Sequence, residues 1–207
     1  MKAEKMIEKK NVIEFFDRCA PSWDAELIRS DEIINIILDN AGITAGKKVL
    51  DVACGTGVLI GDYLKRDASS VTGIDISPEM IKRAREKFTD NRVEFFCCDA
   101  EEFEGGKYDA VMIYNAFPHF PAPEKLLSHL TQLLAEGGTL TVAHGMSREE
   151  IDGHHHGAAR DVSVGLMEAD SLAELMGKYL TVIEKISDER MYQVVGECIM
   201  HFNKIPA

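Results

Sequence analysis

"VLDVACGTGVL", residues 49–59, sets the reading of the whole chain. An apolar run leads into Asp51, glycines follow at Gly55 and Gly57, and the chain turns apolar again. A buried strand that ends on a carboxylate, bends sharply and enters a helix gives this pattern. Glycine takes backbone angles closed to other residues and lets a ligand approach the main chain. In an open parallel sheet, ligands sit beyond the carboxyl ends of the strands, where the strand order reverses. A lone G-x-G also serves as a plain turn, so the flanking sequence decides between the two.

Working outward, short apolar runs alternate with helix-like stretches. Strands are expected at 48–53, 70–75, 92–97, 108–114 and 138–143, and helices at 57–66, 78–88 and 123–135. Ser77, Pro78 and Glu79 make a helix start of N-cap, first-turn proline and first-turn acid. The helix at 123 opens on Pro123 and Glu124 and is expected to end before Gly137-Gly138. Strand–helix alternation implies right-handed crossovers and a parallel sheet with helices on both faces. Upstream, residues 3–18 place Met6, Ile7, Ile13, Phe15 and Phe16 at a rough helical period. A second amphipathic segment covers 24–40, and Pro21 in "APSWD" breaks the helix between them. The tail "YLTVIEKISDERMYQVVGECIMHF" reads as two strands around "SDER", an antiparallel hairpin closing a parallel sheet. The 207 residues suit one α/β domain. Residues 1–40 form an N-terminal helical cap, 45–145 a core, 146–178 an insertion and 179–207 the hairpin.

Two acids argue for a ligand at the bend. "VTGIDISPEM" ends the second strand on Asp75, where a carboxylate can accept from both hydroxyls of a ribose. "VEFFCCDAEEF" ends the third strand on Asp99, where a carboxylate beside an apolar slot can take an adenine amino group. The dinucleotide fingerprint G-x-G-x-x-G is not completed, because Ile60 stands three after Gly57 and Gly61 comes one late. A nucleoside without phosphates fits better than a pyrophosphate.

"VLDVACGTG", "GIDISPEMI", "CCDAEEF", "YDAVMIYNAFPHF" and "LLAEGGTLTVAH" resemble, in order and spacing, the motifs of class I S-adenosylmethionine-dependent methyltransferases. The resemblance is close over roughly residues 45–145. It implies a Rossmann-like, doubly wound seven-stranded sheet whose last strand is antiparallel, in agreement with the tail. It also implies that Asp51, Ala53, Gly55 and Gly57 line the methionine part of the cofactor. Asp75 would hold the ribose with Ile76 against the adenine, Asp99 and Ala100 would read the adenine edge, and Asn115 and Ala116 would approach from the fourth strand end. Ala53 stands where the commonest family pattern has its first glycine. "FFDRCAPSWD" looks similar to the N-terminal helix that caps the cofactor in related small-molecule enzymes, which puts Phe16 and Trp23 over the site. Ordinary core packing is the competing reading of both aromatics.

Methyl transfer from a sulfonium is an in-line displacement on an already activated donor. The protein has to align nucleophile, methyl and sulfur, and remove a proton where the nucleophile carries one. Enzymes that methylate base or amide nitrogens often carry [DN]-P-P-[YF] after the fourth strand; "NAFPHF" keeps Asn115 without the double proline. The formal charge of −12 likewise disfavours nucleic acid and anionic membranes. No run of about 18 apolar residues offers a membrane span, and the Lys/Glu-rich start lacks the apolar centre of a secretion signal. Five cysteines without a CxxC pair fit a reducing cytoplasm, and those at 54, 97 and 98 read as small apolar residues at strand ends. The expected acceptor is therefore a small molecule, with S-adenosylhomocysteine as co-product.

Histidines dominate the acceptor side. His119 follows the fourth strand, His144 ends the fifth, and His154, His155 and His156 follow in "SREEIDGHHHGAA". Three readings compete: solvated loop histidines; a general base or substrate orienter, with His119 and His144 as candidates; or a divalent metal site such as zinc, with His154 and His156 as ligands from an extended loop. His129 and His201 read as structural. Two other functions remain open from sequence: an NAD-type oxidoreductase, and a non-catalytic module that binds S-adenosylmethionine or metal. A protein acceptor is a further alternative. A homodimer through the hairpin edge or the N-terminal helices is compatible with the sequence, although no spacing demands it.

Overall fold

The computed structural model describes residues 7–155 and 158–199. The central sheet has the order β3-β2-β1-β4-β5-β7-β6. Its strands are β1 (Lys48–Val52), β2 (Ser70–Asp75), β3 (Val93–Cys97), β4 (Tyr108–Tyr114), β5 (Leu134–His144), β6 (Thr181–Ser187) and β7 (Tyr192–Glu197). The first five pair in parallel, β7 runs antiparallel to β5, and β6 runs antiparallel to β7. The Rossmann-like doubly wound sheet with an antiparallel last strand is thus present. Because β1 pairs with both β2 and β4, the strand order reverses there, and the glycine bend sits at that switch point.

The central strands are buried on both faces, which explains their continuous apolar runs, whereas β3 and β6 at the sheet edges are partly exposed. Side chains alternate across a strand: Leu50 and Val52 face one core with Leu126, Leu127, Leu130 and Leu172. Val49 faces the other with Ile34, Ile37, Leu38, Ile60 and Ile81. The first core is covered by α6 (Pro123–Thr131) and α8 (Ala169–Met176), the second by α3 (Asp31–Asn40), α4 (Ile60–Lys65) and α5 (Pro78–Lys87). Ser77 caps α5 as expected, its hydroxyl accepting from Met80 N at 3.2 Å with Pro78 in the first turn. No helix among the described residues is long and apolar enough to cross a membrane.

Four boundaries differ from expectation, each for a local reason. The segment 24–40 is two helices, α2 (Trp23–Glu26) and α3, because Leu27 is extended and Ser30 restarts the helix as an N-cap to Ile33 N. The helix expected from 57 begins at Ile60, since Gly57 at φ 83° still belongs to the bend. The helix expected to reach 135 stops at Thr131, and β5 begins at Leu134 rather than 138. An irregularity in the β4–β5 register and Gly137 at φ 67° absorb the mismatch. At the N-terminus, α1 spans Lys9–Cys19. The insertion, which offered no readable pattern, folds into α7 (Arg148–His155), a 3-10 turn (Ala158–Val162) and α8.

Candidate active site

One cavity of about 110 Å³ lies at the carboxyl ends of β1, β2, β3 and β4. Every cofactor-side residue singled out from the sequence lines it, Gly57 excepted. That volume is below the roughly 300–1,000 Å³ of ordinary small-ligand pockets.

The bend is built from left-handed backbone: Ala53 at φ 55°, Gly55 at 56° and Gly57 at 83°. Ala53 takes this conformation without being glycine, a strain of about 1–2 kcal/mol of the kind that concentrates at functional sites. Gly57 serves packing rather than the cavity, for a Cβ there would stand 2.8 Å from the Phe88 ring. Three of the bend's backbone donors are consumed internally. Cys54 N donates to Ile74 O at 3.0 Å, Gly57 N to Cys54 O at 2.9 Å, and Gly55 N to Asp75 Oδ2 at 2.9 Å. Those three amides are unavailable to a phosphate, which weighs against the dinucleotide reading.

Asp75 is buried, and its other oxygen accepts from Ser77 N at 2.8 Å. A carboxylate oxygen has two lone pairs, so each oxygen keeps one for a ribose hydroxyl. Burial pushes the Asp75 carboxyl up to about 6, with the Ser77 and Gly55 amides opposing the shift. Asp51 is buried beside it and is pushed up to about 8 by burial, then by the Asp75 charge, with the Tyr63 hydroxyl acting in the opposite direction. In the unfolded chain both groups ionise near 4. Between that value and about 8 the folded protein holds more protons than the unfolded one, so stability falls as pH rises through this window. The midpoint of urea unfolding of the ligand-free protein is therefore expected to drop from pH 5 to pH 8, and Asp51→Asn to flatten the drop. A midpoint that rises over this window, or an unchanged slope in the variant, contradicts the assignment.

Asp99 stands at the third strand end, where Oδ1 accepts from Glu101 N at 2.9 Å and Oδ2 is held by Lys9 Nζ. Ala100 is buried next to it, and Ile76 is half-buried on the same wall. At the fourth strand end, Asn115 takes φ 53°, and its Oδ1 accepts from Gly145 N at 3.0 Å, tying the ends of β4 and β5 together.

The cap is α1 and α2, with Phe16 and Trp23 on the cavity wall and 5.7 Å between their ring centroids. Three polar anchors hold it, one on each of three consecutive strand ends. Asp24 accepts from Thr56 Oγ1 at 2.6 Å, Asp17 from Ser77 Oγ at 2.5 Å, and Lys9 reaches Asp99 and Glu101. Trp23 Nε1 is buried without a hydrogen-bond partner, above the Gly55 bend. A ribose acid with spare lone pairs, an apolar slot and an orphaned donor together fit a nucleoside with a polar tail.

His119 ends a 3-10 turn (Phe117–His119) after β4 and lines the cavity. Its Nδ1 is 2.7 Å from Val162 O in the insertion, and its ring meets Phe16 edge-on at 5.0 Å. A carbonyl oxygen only accepts, so Nδ1 carries a proton, and in the neutral tautomer the lone pair lies on Nε2. His144 is not brought to the cavity: it is buried, and its ring packs edge-on against Tyr192 of β7. Sharing a strand end did not suffice, because the side-chain direction on β5 turned it toward β7. His154 falls on α7 rather than on an extended loop. Its side chain, together with His156 and His201, lies outside the described residues. Among the described residues no group of three His, Cys, Asp or Glu side chains is placed to hold a metal. His129 bonds Phe103 O at 2.9 Å, away from the cavity.

Sequence reasoning passed over Lys9, Val12, Met80, Cys98 and Tyr114 as wall residues. Val12 and Phe16 are four apart on α1 and so share a face, and Tyr114 directly precedes Asn115; both signals were present. Lys9 has none, since its partner lies 90 residues away.

The sheet order, the cavity at its switch point and the motifs on consecutive strand ends place the chain among the class I S-adenosylmethionine-dependent methyltransferases; residues 49–138 match the methyltransferase domain family. The malonyl-[acyl-carrier protein] O-methyltransferase of Acetivibrio thermocellus is 34% identical over 166 residues, 77% of this chain and 58% of that protein. The ubiquinone biosynthesis O-methyltransferase of Escherichia coli is 32% identical over 154 residues, 67% of this chain and 64% of that protein. The chain thus spans about three-fifths of the length of these relatives. A Haloferax volcanii putative methyltransferase, solved in complex with the Trm112 methyltransferase activator, shares the fold with a TM-score of 0.78 at 19% identity, covering 93% of this chain and 99% of that one.

Proposed function

We propose that this protein transfers the methyl group of S-adenosylmethionine to a hydroxyl of a small, largely apolar acceptor, with His119 as general base. The observation that carries the cofactor half is Asp75, a buried strand-end carboxylate that shares one cavity with Asp99 and braces the glycine bend through Gly55 N. Asp75 holds the ribose, Ile76 flanks the adenine, Asp99 and Ala100 meet its edge, and Asp51, Ala53, Gly55 and Asn115 surround the tail. The acidic, ionisable wall of Asp51 and Asp75 suits a ligand that carries an ammonium and a sulfonium. In this reading residues 1–40 are the cap and 146–178 form the acceptor side, joined to the core through the His119–Val162 bond.

The acceptor half follows from the walls around His119. Phe16 packs against the His119 ring, and Phe120 and Pro121 follow it on the cavity wall, an apolar surround for the acceptor. A carboxylate acceptor is already ionised at neutral pH and needs no base; a hydroxyl must lose its proton. Two relatives are both named as O-methyltransferases, which supports an oxygen acceptor. The donor's C–S bond breaks as the new O–C bond forms, the sulfur leaves as the neutral thioether of S-adenosylhomocysteine, and Nε2 of His119 takes the hydroxyl proton. Incubation with methyl-labelled S-adenosylmethionine and a panel of phenols, aliphatic alcohols and carboxylic acids tests this, with label expected in the phenols or alcohols. Label only in the carboxylic acids would remove His119 from the mechanism.

A further inference from the structure

Resting on the cofactor reading above, we infer that Lys9 competes with the cofactor's adenine amino group for the Asp99 carboxylate, and so sets how strongly the site selects that group. Lys9 Nζ donates to Asp99 Oδ2, and Lys9 itself lines the cavity. The other Asp99 oxygen already accepts from Glu101 N at 2.9 Å. An ammonium and the exocyclic amino group of adenine both donate, so the two seek the same carboxylate from the cavity. The ammonium carries a full charge and makes the stronger bond. An amino group that displaces it gains only the difference.

Two features mark this lysine as placed for the contact and able to leave it. Lys9 opens α1, whose first turn holds no acid and whose N-cap makes no side-chain bond. A cation at a helix N-terminus opposes the macrodipole, so the helix itself gives no reason for a lysine there, whereas Asp99 and Glu101 do. Glu101 supplies the alternative partner. Its carboxyl is 5% exposed, accepts from Lys9 Nζ at 3.1 Å, and takes Lys125 Nζ at 2.9 Å on the same oxygen. Lys9 can therefore give up Asp99 with its charge still met. The cap does not depend on Lys9 alone, because Asp17 and Asp24 anchor α1 and α2 to Ser77 and Thr56.

Calorimetric titration of S-adenosylhomocysteine, and of its analogue with purine in place of adenine, into wild type, Lys9→Met and Lys10→Met tests the inference. The purine analogue lacks only the amino group. Lys9→Met is expected to bind S-adenosylhomocysteine about 3- to 10-fold more tightly than wild type, the worth of the displaced ion pair. Its affinity for the purine analogue should stay within about twofold of wild type. Lys10→Met removes the same charge from the same helix turn, at a side chain paired with exposed Glu14, and should leave both affinities unchanged. An equal gain in Lys10→Met would make the effect one of general charge and overturn the inference. Unchanged or weaker binding of S-adenosylhomocysteine by Lys9→Met overturns it, as does an equal gain for both ligands; these outcomes leave the cofactor reading standing. Binding of neither ligand by wild type overturns the cofactor reading and this inference with it.

Discussion

Replacing Asp75 with alanine is expected to weaken S-adenosylhomocysteine binding by about 10²- to 10⁴-fold, the loss of two charge-assisted hydrogen bonds to a ribose diol. The same change strips the acceptor from Gly55 N and Ser77 N, which loosens the bend and the start of α5 together. Asp75→Asn keeps one acceptor oxygen and is expected to fall between alanine and wild type. Both variants also remove the charge that helps keep Asp51 protonated, so the affinity of Asp75→Asn should depend less on pH than that of wild type. Isothermal calorimetry at two pH values reads all three expectations. Unaltered affinity in Asp75→Ala would mean that the ligand of this cavity is not a ribonucleoside held from β2.

His119→Ala is expected to lower turnover of a hydroxyl acceptor by about 10²- to 10⁴-fold, the range of general-base catalysis. S-adenosylhomocysteine affinity should stay within about threefold, because a general base acts on the acceptor and not on the strand-end acids assigned to the cofactor. The two readouts separate roles. A base loses kcat and keeps cofactor affinity; a packing residue that only steadies the cap and the Val162 turn loses both. His144→Ala is the natural comparison. Its ring lies against Tyr192, so its effect should be on stability rather than on turnover.

What could be read from the chain beforehand was whatever is written locally. The strand and bend at 49–59, Asp75 and Asp99 at strand ends, the Ser77–Pro78 helix start and the terminal hairpin each depend on a few adjacent residues, and each stands where expected. Features set by distant partners could not be read this way. The Lys9 bond to Asp99 joins residues far apart in sequence, and nothing in "EKKNV" announces it. The end of α6 was misplaced because Gly137-Gly138 looks like a helix stop, whereas Gly137 supplies a bend within β5. His144 was placed at the correct edge of the sheet, but a strand end fixes position and not the side of the sheet on which a side chain lies. The insertion between 146 and 178 carries the turn that orients His119, and its residues gave no periodicity from which to expect this.

The account rests on one cavity taking one cofactor, and the most direct test is calorimetric titration of S-adenosylhomocysteine, alongside NADH, into the wild-type protein at pH 7 in two buffers of different ionisation enthalpy. One site per chain for S-adenosylhomocysteine, none for NADH, and release of about one proton are expected. The ligand's ammonium favours the ionised form of Asp51, which is otherwise held protonated up to about 8. NADH binding without S-adenosylhomocysteine binding, or no binding of either, would contradict the account.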